Sequence, residues 1–362
     1  MWAVASLLSQ LEHPIVQAPM AGGPSTPALA AAVSDAGALG FLAAGYRTPD
    51  AVRSDLAELR ALTSRPYGLN LFVPGPPALD RVQLERYAGA LRGEAARYGA
   101  ELGDARHDGD HWDDKLALAA DERVPVVSFT FGCPDPGTLA ALRAAGCETW
   151  VTVTSPAEAE AAASAGADAL VVQGVEAGGH RGSFDAAAAA DIGLLALLQL
   201  VRSVTELPLV ATGAIATGSG VAAALAAGAA AAQLGTAFML TPEAATAPAH
   251  REALGRQAPT AITRAFTGRR ARGIENRFVR EHEGEAPLAY PEVHNMTAPL
   301  RSAAREQGDA DGFNLWAGQA YPLAQALPAG ELVRALAGDA RDALGSAGGA
   351  LAHRPERGRE DA

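Results

Sequence analysis

Four times along the chain an Ala- and Leu-rich stretch of helical character runs into a glycine and then into a short apolar or β-prone run. The copies are 29–36, Gly37 and 39–43; 139–145, Gly146 and 149–153; 157–165, Gly166 and 168–173; and 221–227, Gly228 and 230–234. A glycine just past a helix tolerates the left-handed conformation that ends it. The run that follows is too short for a helix and reads as a strand buried on both faces. Further runs at 15–18, 67–72, 125–130 and 208–211 bring the strands to eight, near 15–18, 39–43, 67–72, 125–130, 149–153, 168–173, 208–211 and 231–234. Eight strands alternating with helices imply parallel β–α–β units, and eight is the number that closes a barrel. The expected class is α/β, a (β/α)8 TIM barrel. An open doubly wound sheet competes with it, and the lack of a G-x-G-x-x-G after the first strand counts against that sheet.

At 362 residues the chain exceeds a minimal barrel in two places. Residues 74–123, between the third and fourth strands, are polar and charged and read as a helical insertion over the barrel mouth. Residues 241 to about 328 follow the last strand and should hold lid segments, since long ordered insertions are usually functional. The expected division is a cofactor-binding barrel core over 1–240, lid segments and a final helix over 241–353, and a disordered charged tail over 354–362. Residues 221–240 run without a charge and meet the length of a membrane span. They are mostly alanine, interrupted by Gly228, Gln233, Gly235 and Thr236, which fits a helix and then a strand in a soluble core.

Composition removes several classes of function. The formal charge is −12, from 29 Lys and Arg against 41 Asp and Glu. No basic stripe or tail offers a footprint for nucleic acid or an anionic membrane. Lys115 is the only lysine, and it follows the acidic stretch 107–114 and reads as solvated. A Schiff-base barrel chemistry, which needs a desolvated lysine, is therefore set aside. Cys133 and Cys147, the only two cysteines, support neither a disulfide framework nor a Cys-rich metal site and fit a reducing, cytoplasmic compartment. Residues 1–10 lack the basic and apolar segments of a signal peptide.

In a β/α barrel the active site lies on the loops that leave the C-terminal ends of the strands. That rule selects Met20 in the loop after strand one, Asn70 on strand three and 131–134 after strand four. It also selects Gln173 and the run to His180 after strand six, 212–215 after strand seven, and Gly235-Thr236 after strand eight. Amides, small residues and glycines collect there, which suits a planar polar cofactor pressed against backbone. Gly213 and Gly235 let backbone N–H groups approach an anion and Thr236 adds a hydroxyl, the usual phosphate site of such barrels. The same glycines also serve simple turn geometry. Residues 213–220 lack the lysine of a P-loop.

His180 is one of eight histidines, and a lone loop histidine is commonly just solvated. Its place after strand six, between Gly179 and Arg181-Gly182, lets a flexible backbone lay an imidazole over a cofactor face. An imidazole there can accept a carbon-bound proton or hydrogen-bond an anionic substrate. Glu176 and Arg181 flank it and read as structural ion-pair members as readily as participants. The stretch 107–114 has two histidines four apart but no H-E-x-x-H, so it reads as a solvated polar face, and no metal site is expected. Cys133 reads as a small buried residue.

Together the segments 14–27, 68–72, 127–132, 166–182, 233–236, 266–273 and 315–319 resemble class I nitronate monooxygenases, once called 2-nitropropane dioxygenases. The resemblance covers nearly the whole chain. It implies FMN held by Met20, Asn70, Gln173, Gly178, Gly213, Gln233, Leu234, Gly235 and Thr236. It implies His180 as the active-site base or substrate anchor. The implied reaction takes an alkyl nitronate or nitroalkane and O2 to a carbonyl compound and nitrite through a flavin semiquinone, a nitroalkane detoxification. A nitronate is already an anion, so a base is needed only for a neutral nitroalkane. An FMN-dependent NAD(P)H reductase of the quinone or enoyl-acyl-carrier-protein type shares the Gly-Gly-His loop and is the alternative. A non-catalytic phosphate-ligand-binding barrel is a second alternative, and the sequence leaves open whether copies form a homo-oligomer.

Overall fold

Several helices of the barrel begin with the same local device. Thr26, Thr48, Asp135 and Ser155 each accept a backbone N–H of the following first turn, and each is followed by proline at the first helical position. The side-chain oxygen satisfies an orphan donor, and proline supplies the helical φ without needing its missing N–H. The helices so capped are Pro27–Asp35, Pro49–Leu62, Pro136–Ala144 and Pro156–Ala165. At the other end, Gly37, Gly146, Gly166 and Gly228 all have φ between 85° and 98°, the left-handed stop expected of them.

A computed structural model describes residues 6–78, 80–187 and 190–352. The tail over 354–362, and the first half of the segment read for a signal peptide, lie outside the described residues. Its strands are β1 Ile15–Gln17, β2 Gly40–Ala43, β3 Tyr67–Phe72, β4 Val126–Thr130, β5 Glu148–Val153, β6 Ala169–Gln173, β7 Gly179–His180, β8 Leu209–Thr212, β9 Ala231–Leu234, β10 Thr260–Thr263 and β11 Ala271–Ile274. Eight of them form one parallel sheet in the order β1-β9-β8-β6-β5-β4-β3-β2. A parallel bridge between Val16 and Leu39 joins the two ends, with the Gln17 amide donating to Leu39 O at 2.9 Å. The chain is thus a (β/α)8 barrel. Each strand lies within a residue or so of its expected position.

The barrel is filled from one end. Val16, Phe41, Val126, Trp150, Val171 and Val210 point inward and form one cluster with Leu8, from the short 3-10 turn Leu7–Gln10. Layers of large side chains from alternate strands close a barrel in this way. A larger cluster fills the space between strands and helices. The uncharged segment 221–240 is the end of helix Gly218–Ala226 followed by β9. Among the described residues no helix is long and apolar enough to cross a membrane.

Between β3 and β4 lie the helices Arg81–Ala90, Arg92–Tyr98 and Trp112–Asp121. The last of these packs on β3 and on helix Pro49–Leu62. Lys115 sits on it and is 1 % exposed, not solvated as its neighbours suggested. Its Nζ lies 2.8 Å from Asp110 Oδ1, and the packing of the helix against the barrel takes it from water. The acidic stretch around it is a solvated face at His107, His111, Asp113 and Asp114, and a joint at Asp108 and Asp110. Asp110 Oδ1 accepts from Tyr46 N, Asp108 accepts from Asn295 Nδ2, and His107 lies 3.5 Å from Glu292.

A second sheet was not foreseen. β10, β11 and β7 form a three-stranded antiparallel sheet in which Ala271 pairs with His180 and Arg272 with Gly179. The Gly-rich run therefore is not a flexible loop at His180. It is pinned by a strand about ninety residues further along, beyond the last barrel strand.

Candidate active site

The strand ends and the C-terminal segments enclose a cavity of about 240 Å³, larger than the ~150 Å³ void that takes up benzene in an engineered core. Met20, Asn70, Gln173, Gly178, His180, Gly213, Gln233, Gly235 and Thr236 all line it. Leu234 is placed differently. Its side chain is buried in the outer core, and its carbonyl accepts from Ala18 N at 2.8 Å.

At the ends of β8 and β9 the backbone turns its donors inward. Among the described residues none accepts from the amides of Gly213, Ala214, Gly235 or Thr236. Gly213 has φ 145° and Ala214 φ 50°, and successive amides in such a turn form a concavity for an anion. Thr236 Oγ1 accepts from Gly318 N at 3.1 Å, which leaves its own proton to donate. These donors stand half-buried in the cavity wall, open to a ligand.

Deeper in the cavity the polar side chains divide into committed and free. Asn70 is 2 % exposed, and its Nδ2 donates to Ser128 and Thr130. Its carbonyl oxygen has no donor among the described residues. Gln233, buried on β9, has no partner for either end of its side-chain amide among the described residues. Gln173 is different: Nε2 donates to His180 O at 3.0 Å, and Oε1 accepts from Arg181 Nη1 at 3.0 Å and Gly182 N at 2.8 Å. It clamps the strand that carries His180, with one N–H left over.

Arg181 completes that clamp. It is 1 % exposed and donates to the carbonyls of Gln173 and Gly174. Glu176 accepts from Leu194 N and so caps the helix Leu194–Arg202. Both flanking charges are thus structural, and neither is in an ion pair with the other. Cys133 is half-buried, its thiol donates to Pro134 O, and burial pushes its pKa up to about 11. A thiol held protonated in this way is a poor nucleophile.

The His180 ring sits in an aromatic box, with Trp316, Phe131 and Tyr290 at centroid distances of 5.5, 5.7 and 5.8 Å. Its Nε2 is 2.9 Å from Thr267 Oγ1. Nδ1 has no protein partner among the described residues. Burial, and then the charges of Arg269 and Arg301, push the imidazole pKa down to about 3. Arg269 lies over the Phe131 ring at 4.1 Å and donates to the carbonyls of Arg181 and Ser183. Arg301 donates to Thr297, His294 and Asn314. Neither has a carboxylate partner among the described residues, and burial pushes each down to about 10, still cationic at neutrality. The site is therefore a neutral imidazole in a positive field, a setting that favours an anionic ligand.

Of the residues that surround His180, sequence reasoning selected only Phe131, within 131–134. Thr267 and Arg269 lie in the stretch 266–273 and Trp316 in 315–319, both singled out without a role. Tyr46, Tyr290 and Arg301 carried no signal, because their relation to His180 exists only across packed segments.

Comparison with known proteins places the chain in a family. A family model described as nitronate monooxygenase matches residues 5–339. A nitronate monooxygenase of Pseudomonas aeruginosa is 43 % identical over 341 residues, 91 % of this chain and 97 % of that protein. The structure of a nitroalkane oxidase from Streptomyces ansochromogenes superposes with a TM-score of 0.92 at 52 % identity, covering 95 % of this chain and all of that one. FabK from Thermotoga maritima superposes at 0.76 with 28 % identity, covering 95 % and 98 % of the two chains.

Proposed function

The chain belongs to the nitronate monooxygenase family, and from that membership we propose that it oxidises alkyl nitronates with O2 to a carbonyl compound and nitrite, with FMN as its bound cofactor. The observation that carries the reading is one cavity in which a nest of free backbone donors and a neutral, positively surrounded His180 face the same space.

The donor set suits a flavin mononucleotide. The amides of Gly213, Ala214, Gly235 and Thr236, with the Thr236 hydroxyl, would take the phosphate. The free carbonyl of Asn70, the unbonded amide of Gln233 and the remaining N–H of Gln173 would meet the polar edge of the ring. Met20 and Gly178 supply an apolar contact and a close backbone approach. When bound, FMN supplies the electron-accepting ring through which electrons pass from nitronate to O2.

His180 does its part without carrying charge. With its pKa near 3 it stays neutral across the physiological range, and so weak a base has little driving force towards a carbon-bound proton. A bound nitronate reverses part of that penalty, since an anion beside the ring favours its protonated form. Which role the free Nδ1 plays depends on Thr267. If Nε2–H donates to Thr267 Oγ1, Nδ1 presents a lone pair and acts as base. If the Thr267 hydroxyl donates to Nε2, Nδ1 carries the proton and anchors a nitronate oxygen. The hydroxyl has a competing acceptor in Arg269 O at 3.3 Å, while Arg269 N donates to it at 3.4 Å. These contacts favour the first arrangement.

The test is spectral. The purified protein should be yellow, and under anaerobic conditions a primary nitronate should bleach it whereas NADH or NADPH should not. Bleaching by nicotinamide without response to nitronate would replace this reading by the reductase alternative. A protein without flavin absorbance would overturn both.

A further inference from the structure

Tyr46 stands in a backbone conformation that aromatic residues rarely adopt, with φ 67°. Strain of this kind persists only where the surroundings impose it, and it gathers at functional sites. Here the imposing group is visible. Asp110 Oδ1 accepts from Tyr46 N at 3.0 Å, and the buried Lys115 compensates the charge of Asp110 at 2.8 Å. The only lysine of the chain is thereby spent on holding one backbone amide of the loop after β2.

The ring so placed lines the cavity. It stacks on His294 at 4.0 Å and lies edge-on to Phe72 at 5.5 Å. Its oxygen accepts from the Tyr290 hydroxyl at 3.1 Å, and the Tyr290 ring is 5.8 Å from that of His180. No described residue accepts from the Tyr46 hydroxyl. Its oxygen is thus occupied from behind while its proton has no protein acceptor. Behind the stack, Arg301 donates to the backbone and Nδ1 of His294, so its positive charge and that of Arg269 stand near the ring besides the Asp110–Lys115 pair.

We propose that the Tyr46 hydroxyl donates a hydrogen bond to an oxygen of the bound nitronate, and that the Asp110–Lys115 pair is a positioning device that keeps it turned into the cavity. The inference rests on the nitronate reading of the site and assigns that substrate a hydrogen-bond donor, which His180 with a lone pair on Nδ1 does not supply. A hydroxyl with only its proton free meets an acceptor, and a charged nitronate oxygen is a stronger acceptor than a neutral carbonyl oxygen. Tyr290 acts through Tyr46 by taking up its lone pair.

Tyr46→Phe is nearly isosteric and keeps the stack on His294. Loss of a hydrogen bond to a charged group should raise KM for a primary nitronate about tenfold, with kcat within about twofold and flavin content unchanged. Tyr290→Phe should raise KM by only about two- to fivefold, because the Tyr46 proton remains. Binding is read separately by anaerobic titration of the flavin spectrum with butanoate, whose carboxylate reproduces the O–N–O edge of a nitronate. Its Kd should rise in parallel with KM in both variants. A Tyr46→Phe protein whose KM and butanoate Kd both stay within twofold of the parent overturns the proposal. Should that variant fail to fold, a Tyr290→Phe protein unchanged in both measurements overturns it instead. A parent enzyme that ignores nitronate defeats the functional reading alone, since the butanoate titration still decides whether Tyr46 holds an anion.

Discussion

Thr267 and His180 stand 87 residues apart in the chain and 2.9 Å apart in space. Removing the hydroxyl frees the imidazole tautomer, so Thr267→Val should lower kcat/KM for a neutral nitroalkane at least tenfold and for preformed nitronate much less. Thr267→Ser keeps the oxygen and should recover most of the loss. His180→Asn sharpens the assignment: a base is missed only by the neutral substrate, an anchor equally by both. Equal losses for Thr267→Val on both substrates would show that it merely supports the ring. His180 itself was legible from its place after the sixth strand. Thr267 was not, because a threonine between Phe266 and Gly268 carries no mark of its partner.

The elements that position the site are joined at a few close contacts. A side chain at Gly178 would put Cβ 2.4 Å from Gly318 N and 2.5 Å from Ala317 C. Backbone cannot yield cheaply there, so Gly178→Ala should lower stability by about 1–3 kcal/mol. It should also weaken flavin retention by parting the segment 315–319 from the loop after β6. Urea midpoints together with flavin released on dialysis measure the two effects, and an unchanged midpoint would mean that the segment shifts freely. The barrel strands were readable because burial on both faces leaves continuous apolar runs, and the helices because Ser, Thr or Asp before proline and glycine after the last turn mark their ends. β7 escaped notice. It is two residues long, and its partner β11 lies about ninety residues away, so neither periodicity nor turn chemistry announces the pairing.

At the scale of the whole molecule, three histidines among the described residues are held neutral by burial. His180 is pushed down to about 3, His250 to about 4, and His294 well below the ordinary range. In the unfolded chain each would take up a proton near pH 6.5. Below that pH the unfolded state therefore binds more protons than the folded one, and stability falls as pH falls, until the folded-state values are reached. Each histidine contributes about 1.4 kcal/mol per pH unit in that window, so the three together give a slope of about 4 kcal/mol per unit. Urea unfolding at pH 7, 6, 5 and 4.5 measures it, and a curve flat from pH 7 to 5 would mean that the rings are protonated in the fold. The acidic excess of the composition says nothing of this behaviour. It arises from the burial of the three rings, and then from where Arg269, Arg301 and Arg305 lie around them.

The sequence by itself determined the order of the barrel units, the position of every barrel strand to within a residue or so, and the set of strand ends from which a site could be built. These are local matters, set by propensity, capping and the length of apolar runs. Only the tertiary structure decided that Lys115 is buried and paired, that His180 is pinned in a strand and uncharged, and that Tyr46 turns a free proton into the cavity. Each depends on desolvation and on the field of charges brought together from distant segments. Neither quantity is a property of a residue and its neighbours in the chain.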